Sequence, residues 1–320
     1  MRAVFYEQFG PPEVLRVGER PLPEPAADEV LVQVAAAGVN PIDRRLRNGE
    51  LQEFFAREWP IVPGWDVAGR IVSTGSEVAG WQPGDEVVGL AFTWFLHHGT
   101  YAEFVPVKAT AIAHKPRGIS FTDAAALPLV SLTAWESLAE YARLKPGQTV
   151  LIQAGAGGLG SVAIPIARHL GATVYTTVSA SNADYVSGRG AQHVIDYRST
   201  DYVQYLRQQE PQGLDAVLES LTGDDVVRAA IRLVKPGGTV AYMNNEPPDM
   251  PEIAGHQIRT KFLHHRPDGE SLARLMDLYA RGTLPLPPVE VQPLEAAAEA
   301  HRRSESGRTR GKLVLQVQRM

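Results

Sequence analysis

A glycine-rich segment near the middle of the chain constrains the fold more than any other feature. The segment LIQAGAGGLGSVAIPIARHLGA contains G-x-G-x-x-G as Gly155, Gly157 and Gly160, between an apolar strand-like run and a helix-like run. In such a unit the first glycine permits a tight turn, the second lets the backbone approach a pyrophosphate, and the third lets the helix pack on the sheet. Free N–H groups at the helix N-terminus face the phosphates. The segment predicts a dinucleotide-binding βαβ unit; the alternative is a tight turn that binds no nucleotide.

Strand-like and helix-like runs alternate around this loop, which is typical of a doubly wound parallel sheet. The predicted strands are 149–154, 173–178, 193–196, 215–220, 238–243 and 261–265. The predicted helices are 159–170, 183–189, 200–209 and 224–234, followed by GESLARLMDLYARG. In the last helix, apolar residues recur at i, i+3, i+4 and i+7, which predicts one buried face made of Leu272, Leu275, Met276 and Tyr279.

The first part of the chain has a different character. Short β-like runs, such as EVLVQVAAAGV and GDEVVGL, are separated by turn signals, such as Pro83-Gly84-Asp85. The end of the chain, GKLVLQV, is again strand-like. We therefore predict a β domain over 1–120, completed by 285–320, with a Rossmann domain over 121–284 inserted in it.

Composition excludes several classes of protein. The 320 residues predict about two domains. With no cysteine, the chain can form no disulfide, thiolate nucleophile or Cys-ligated zinc site. A formal net charge of −5 argues against a nucleic-acid partner. The start MRAVFYEQFG has no apolar leader region, and no apolar run approaches the ~20 residues of a membrane span. We expect a cytoplasmic protein with no membrane partner.

The residues after the second predicted strand indicate which dinucleotide binds. An NAD site usually places Asp or Glu there to hold the ribose 2′-hydroxyl. Here Ser179, Ser181 and Asn182 are uncharged, and no acid stands at this point to repel a 2′-phosphate. Tyr197 follows the third strand and is expected near the same pocket, although it is equally typical of a strand end. The pattern favours NADP(H) over NAD.

Several segments, in this order along the chain, resemble one family: AAAGVNPIDRRLRNG, VPGWDVAGRIVSTGSEVAGWQPGDEVVG, GTYAEFVPV, AALPLVSLTAWESL, the glycine loop, VIDYRSTD and GKLVLQV. Together they are similar to the zinc-independent quinone oxidoreductase branch of the medium-chain dehydrogenases/reductases. The resemblance runs from about residue 1 to residue 317. It implies a GroES-like β domain interrupted by a Rossmann domain, and a homodimer.

The resemblance also implies metal-free chemistry. Zinc relatives carry Cys where this chain has Asn40, and His-Glu where it has Trp65-Asp66. The histidine pairs His97-His98 and His264-His265 are not expected to chelate one ion, because adjacent strand residues point to opposite faces. Without a metal to polarise a simple ketone, hydride transfer is expected to need an acceptor that is already electrophilic.

The match to the family assigns candidate residues on the substrate side. Asn40 is expected to face the nicotinamide and to hold its ribose or the substrate carbonyl; the alternative is a turn residue before Pro41. Asp43 is expected to order that turn rather than to transfer a proton. Arg45 departs from the family pattern, and either attracts the acceptor or faces solvent.

Aromatic residues cluster between 54 and 101 and would form flat apolar walls for a quinone or an enone. Of these, Trp65, Trp94 and Phe55 are expected to line the cleft. Half of the cluster is expected to be core.

The remaining cofactor-binding candidates come from the loop, the strand ends and the family match. Thr133 matches a threonine that contacts the cofactor; the alternative is a helix-interior hydroxyl bonded to its own backbone. The rest of the set is Ala156, Gly158, Leu159, Leu221, Met243, Asn244, Phe262, Leu263 and Lys312. Ligands in doubly wound sheets bind at such carboxyl ends of strands.

The expected function is reduction of a quinone or another conjugated carbonyl by NADPH. One alternative is an alkenal or enoyl-thioester reductase, for which Arg44, Arg45 and Arg47 would form a basic groove. Another is an NADP-binding protein with little turnover, acting in a structural or sensing role.

Overall fold

The fold combines a mainly antiparallel β unit with an inserted parallel α/β unit, and the sequence predicts this combination. A computed structural model describes residues 1–264 and 266–320. Contacts divide the chain into unit 1 (Met1–Leu132, Arg266–Gly282 and Leu286–Met320) and unit 2 (Thr133–His265 and Thr283–Pro285). Within the described residues, no helix is both long and apolar enough to cross a bilayer.

Unit 1 is built on a seven-stranded sheet. The strands of unit 1 are β1 (Arg2–Phe5), β2 (Arg16–Glu19), β3 (Glu29–Val39), β4 (Ala56–Arg57), β5 (Asp66–Thr74), β6 (Glu86–Leu90), β7 (Phe95–Leu96), β8 (Phe104–Lys108), β9 (Ile112–His114), β16 (Val289–Pro293) and β17 (Lys312–Gln316). β1 pairs with β2 and β4 with β7 in two further, two-stranded sheets. The order in the main sheet is β16-β17-β3-β5-β6-β9, with β8 also paired to β3. The last strand pairs antiparallel with β3, from Leu313 opposite Val39 to Gln316 opposite Ala36. A strand near the start of the chain and the last strand are therefore paired in one sheet.

Helices complete unit 1: α1 (Pro41–Arg47), α2 (Phe121–Ala125), α9 (Gly269–Ala280) and α10 (Ala297–Glu305). Helix α3 (Pro128–Trp135) contains the boundary between the units and continues as a π-helical turn over Glu136–Tyr141. The core of unit 1 is made of valine and alanine from the sheet, with Leu294, Ala297 and Ala300 from the C-terminal segment.

Unit 2 contains a six-stranded, wholly parallel sheet. Its strands are β10 (Thr149–Ile152), β11 (Thr173–Val178), β12 (His193–Asp196), β13 (Leu214–Glu219), β14 (Val234–Tyr242) and β15 (Arg259–Phe262). Its helices are α4 (Gly158–His169), α5 (Ala183–Gly188), α6 (Tyr202–Gln209), α7 (Asp224–Leu233) and α8 (Pro251–Gly255). The spatial order β12-β11-β10-β13-β14-β15 reverses between β10 and β13, where doubly wound sheets bind ligands.

The sixth strand differs from its predicted position. It was predicted over 261–265 but spans Arg259–Phe262, and His265 lies outside the described residues.

Helix α9 has the predicted buried face but belongs to unit 1 rather than to the predicted 121–284 domain. Leu272, Leu275, Met276 and Tyr279 are all buried. The helix begins against β9: a Cβ at Gly269 would lie 2.3 Å from the carbonyl oxygen of Ile112. This close backbone approach is non-local, so the alternating local pattern did not reveal it.

Candidate functional site

The glycine loop follows β10 and opens α4, as the spacing predicts. Each glycine has a distinct environment. A Cβ at Gly155 would lie 2.1 Å from Thr176 Oγ1, and one at Gly160 would lie 2.5 Å from the Cα of Gly155. At Gly157, the N-cap of α4, a Cβ would meet only the carbonyl oxygen of Ala154, at 3.3 Å. Two glycines therefore serve packing, and the middle one leaves the backbone open.

The tight turn predicted at Gly155 needs no left-handed backbone at that glycine. The left-handed backbone in this turn is at Ala154, with φ of 51°, and not at Gly155. Glycine is required at 155 because β11 passes so close. Ala156 is buried, while Gly158 and Leu159 are partly exposed in the first turn of α4.

The residues predicted to bind the 2′-phosphate lie together at the ends of β11 and β12. Ser179 Oγ is 3.2 Å from Ser181 Oγ and accepts a hydrogen bond from Asn182 Nδ2 at 3.2 Å. Tyr197 donates its backbone N–H to the carbonyl of Val178, and its ring is 54% exposed. The Arg198 guanidinium lies 5.8 Å from the centre of that ring. These polar groups and one cation are partly or fully exposed at the strand ends.

The loops after β13 and β14 carry the next set of predicted residues. Asn244 donates from Nδ2 to the carbonyl of Ser220, and Met243 donates its N–H to the carbonyl of Glu219. Leu221 donates its N–H to Glu219 Oε1 at 2.7 Å. Hydrogen bonds therefore join these two loops.

Three further cofactor-binding candidates are Phe262 and Leu263, at the end of β15, and Thr133, in α3. After β15, Leu263 is buried and donates its N–H to the carbonyl of Tyr242, and the Phe262 ring packs edge-on against His264. The carbonyl of Thr133 accepts a hydrogen bond from Ser137 Oγ at 2.6 Å. The helix-interior back-bond that was the alternative role for Thr133 is made here by the hydroxyl of Ser137.

Unit 1 holds a buried polar cluster that we call the Asn40 cluster: Asn40, Asp43, Asp66, Tyr101 and Lys312. Asn40 Nδ2 donates to Asp66 Oδ2 at 2.8 Å, and Lys312 Nζ donates to Asn40 Oδ1. Lys312 Nζ also donates to the carbonyl of Val39 and lies 3.5 Å from Asp66 Oδ2. Both ends of the Asn40 amide are thereby fixed in orientation.

Asp43 is the N3 residue of a capping box at the start of α1. Its Oδ2 accepts the backbone N–H of Asn40 at 2.8 Å and the hydroxyl of Tyr101 at 3.1 Å. Its Oδ1 is buried and has no hydrogen-bond partner among the described residues.

Burial dominates the electrostatics of the Asn40 cluster. It raises the pKa of the Asp43 carboxyl to about 7 and also raises the pKa of Asp66. It lowers the pKa of the Lys312 ammonium, and it raises the pKa of Tyr101 well above its ordinary value. The two carboxyl groups therefore keep their protons to a higher pH than exposed carboxyls do, and the Lys312 ammonium loses its proton at a lower pH than an exposed one.

The three arginines of α1, which would bind the CoA phosphates in the enoyl-thioester alternative, have different surroundings. Arg47 is fully buried and donates to the carbonyl of Gly10, to Glu305 and to Nδ1 of His301. Arg44 and Arg45 both pair with Glu50. Of the three arginines that this alternative would use, Arg47 is therefore unavailable to a ligand, because it lies on the inner side of a short helix.

The aromatic residues predicted to form a wall do lie together. Trp65 is buried, and its ring is 4.8 Å from that of Phe92. Phe55 stacks on Trp94 at 5.2 Å and lies 6.0 Å from Trp65. Trp94 is 53% exposed, so the aromatic cluster extends from the core to the surface.

The histidine pair His97-His98 differs from its predicted geometry. The two rings are 4.2 Å apart and do not point to opposite faces, because both residues follow the end of β7. In the part of the chain that the structure describes, no three His, Asp or Glu side chains group as a metal site. Of the other predicted pair, His265 lies outside the described residues.

Two buried residues of unit 2 were not predicted. Gln153 follows β10, and Glu219 ends β13; both are at most 1% exposed. An acidic residue that ends an apolar strand, as in LDAVLE, is the signal that would have identified Glu219.

Comparison with known proteins matches both units. The family described as alcohol dehydrogenase GroES-like domain matches residues 26–117, and the zinc-binding dehydrogenase family matches residues 189–315. The quinone oxidoreductase of Coxiella burnetii is 34% identical, with a TM-score of 0.88 and 99% of each chain covered. The Escherichia coli quinone oxidoreductase, solved in complex with NADPH, is 27% identical, with a TM-score of 0.89, 99% of this chain and 100% of that chain covered.

A 2-methylene-furan-3-one reductase from Solanum lycopersicum is 36% identical over 252 residues. The match covers 76% of this chain and spans 62% of the tomato protein's length.

Proposed function

Because the chain belongs to the quinone oxidoreductase branch of the medium-chain dehydrogenases/reductases, we propose that it transfers a hydride from NADPH to a quinone or another conjugated carbonyl. The observation that carries the proposal is the contrast among the three loop glycines. Two are crowded by neighbouring atoms, while Gly157 leaves open backbone at the start of α4. A pyrophosphate fits such a place because backbone approach and free N–H groups coincide there.

The preference for NADPH rests on the charge at the ends of β11 and β12. Ser179, Ser181 and Asn182 offer hydroxyl and amide groups, and Arg198 offers a cation beside Tyr197. These groups would hold the 2′-phosphate. Asn244 and the adjacent backbone would hold the carboxamide end, together with Leu221, Met243, Phe262 and Leu263.

On the acceptor side, the chain supplies orientation and hydrogen bonds. When bound, the nicotinamide supplies the hydride. Asn40 Nδ2 carries a second hydrogen beyond the one it donates to Asp66, and this hydrogen would orient a substrate or ribose oxygen. The aromatic cluster at Trp65, Phe55 and Trp94 would cover a flat ring and exclude water from it. We propose that this hydride transfer takes place without a metal ion.

A panel of acceptors tests the proposal. Oxidation of NADPH and of NADH is followed with benzoquinone, naphthoquinone, a 2-alkenal and crotonyl-CoA. We expect turnover with NADPH and at least one quinone. Activity with NADH alone would contradict the cofactor assignment. Tight NADPH binding without turnover on any acceptor would favour the binding-protein alternative.

A similar protein suggests that conjugated ketones and aldehydes should be tested as acceptors beside the quinones. The tomato relative is a 2-methylene-furan-3-one reductase by name, and such a ketone is a conjugated acceptor. Turnover of the 2-alkenal in preference to quinones would place this chain with enone reductases. Crotonyl-CoA is expected to be the poorest acceptor, because Arg47 is buried and cannot bind the CoA phosphates.

A further inference from the structure

Two buried polar residues stand side by side where the parallel sheet reverses its order. Ile152 of β10 is in register with Leu218 of β13, so the next residues, Gln153 and Glu219, are neighbours on one face of the sheet. Backbone contacts support this placement: Gln153 donates its N–H to the carbonyl of Leu218 at 3.4 Å, and Ser220 Oγ donates to the carbonyl of Gln153 at 3.3 Å.

The hydrogen bonds of this pair are incomplete. Gln153 Nε2 donates to the hydroxyl oxygen of Tyr202, but Gln153 Oε1 is buried and has no partner among the described residues. Glu219 is fully buried and accepts from the N–H of Leu221 and from Asn245 Nδ2. A buried acceptor without a donor is costly, and a protonated carboxyl beside it would supply the donor.

Glu219 also connects the two loops at the carboxyl ends of β13 and β14. Leu221, which donates to one of its oxygens, lies in the first loop, and Asn245, which donates to the other, lies in the second. Asn245 donates as well to the carbonyl of Leu221 at 2.9 Å. The Glu219 carboxyl thus accepts hydrogen bonds from both of the loops that are proposed to bind the nicotinamide end of the cofactor.

We propose that Glu219 is a positioning residue: in its protonated form it donates to Gln153 Oε1 and holds both loops in the shape that binds the dinucleotide. The inference rests on the proposed function, since it concerns the same cofactor. Cofactor binding is then coupled to the uptake of one proton at a Glu219 carboxyl oxygen.

The surroundings of Glu219 favour the protonated form of its carboxyl. The groups that face it are the Tyr202 hydroxyl from α6, Tyr242 from β14, the amides of Gln153 and Asn245, and the Leu221 N–H. Burial raises the pKa of the Glu219 carboxyl to about 7. A bound dinucleotide removes more water and brings negative phosphates, so it raises this pKa further. Affinity is therefore highest below about pH 7 and falls as the pH rises.

The experiment measures the Kd of NADPH by its fluorescence from pH 6 to pH 8.5, and proton uptake by calorimetry in two buffers of different ionisation enthalpy. For the unaltered protein we expect Kd to rise about tenfold between pH 7 and pH 8.5, with proton uptake near pH 7. Glu219→Gln, whose amide is a permanent donor, should keep the low-pH affinity for NADPH. Its Kd should not rise with pH, and it should take up fewer protons when NADPH binds. Glu246→Gln, which neutralises an exposed acid in the second loop, is the matched control and should behave as the unaltered protein.

The outcomes are separable. If the unaltered protein binds NADPH at no pH, the proposed function fails. If it binds and Glu219→Gln retains the same pH dependence, the inference is overturned. A uniform loss of affinity with an unchanged pH dependence would also overturn it, because Glu219 would then be structural only. If Glu219→Gln does not fold, Glu219→Asp is used instead. This variant retains a carboxyl that can bind the proton, so it should keep the pH dependence of the Kd at weaker affinity. Loss of the pH dependence in Glu219→Asp would count against the proposal.

Discussion

Two side chains in different units decide most of the proposed chemistry at the scale of single residues. Ser179 leaves the end of β11 uncharged, where an acid would repel a 2′-phosphate. Asn40 is held at both ends of its amide by Asp66 and Lys312, so its orientation is fixed before any ligand binds. Each makes a prediction that a single substitution tests.

Ser179→Asp should shift the cofactor preference from NADPH towards NADH. A carboxylate at this point repels the 2′-phosphate and offers an acceptor to a 2′-hydroxyl. We expect the ratio of kcat/KM for NADPH over NADH to fall about tenfold or more, which is about 1.4 kcal/mol. Ser187→Asp, on the exposed side of α5, is the control and should leave the ratio unchanged. An unaltered ratio in Ser179→Asp would place the pocket elsewhere.

Asn40→Ala should lower kcat by about tenfold to a hundredfold while the Kd of NADPH changes little, because one oriented donor is lost. Asn48→Ala, at the other end of α1, provides the comparison. Thermal melting of both variants separates catalysis from stability, since the substitution also removes a partner of buried Lys312. Full activity in Asn40→Ala would remove this residue from the site.

At the scale of secondary-structure elements, the loop between β10 and α4 combines packing with an open binding surface. Gly155 and Gly160 let β11 and α4 come within van der Waals distance of the loop. Gly157 has no such neighbour and stands at the N-cap of α4. One short turn therefore contains two crowded glycines and one open glycine.

Gly157→Ala and Gly160→Ala should give opposite results. A Cβ at 157 meets only one carbonyl oxygen, so the fold should tolerate it, while NADPH binding weakens because the methyl group occupies the phosphate's place. A Cβ at 160 meets the Cα of Gly155 at 2.5 Å, and we expect a loss of about 1–3 kcal/mol in the free energy of unfolding. Urea denaturation and NADPH titration measure the two effects. Equal destabilisation by both would contradict this division.

For the whole molecule, the chain leaves its first sheet and later returns to it. β3 near the start and β17 near the end are paired strands of one sheet, and unit 2 lies between them in sequence. The Asn40 cluster draws Lys312 from β17 and Asn40 from the end of β3. A buried ionisable cluster therefore depends on the closure of the first unit by the last strand.

Stability should fall as the pH rises through about 7, in part because of Asp43. Burial raises the pKa of this carboxyl to about 7, so the folded state binds its proton more tightly than the unfolded state. The stabilisation is complete below about pH 4 and is lost as the pH passes the folded pKa. Asp43→Asn keeps one oxygen as acceptor for Asn40 and Tyr101 but cannot ionise.

Urea midpoints at pH 5, 6, 7 and 8 measure this effect. The unaltered protein should lose more of its midpoint over this range than Asp43→Asn does. The difference between the two proteins reports Asp43 together with the groups coupled to it, Asp66 and Lys312, and removes the contributions of titrating groups that lie elsewhere. Identical pH profiles would show that Asp43 keeps its charge state on folding.

The sequence by itself determined the α/β class, the insertion of a parallel sheet in a β-rich unit and the location of the glycine loop. These follow from local periodicity, from turn residues and from a motif whose members lie within six positions, from Gly155 to Gly160. Only the tertiary structure decided that Lys312 meets Asn40, that Glu219 lies beside Gln153, and that Arg47 is buried. The physical reason is that strand order and register bring together residues far apart in the chain, 272 positions for Lys312 and Asn40. Local patterns do not encode such pairs.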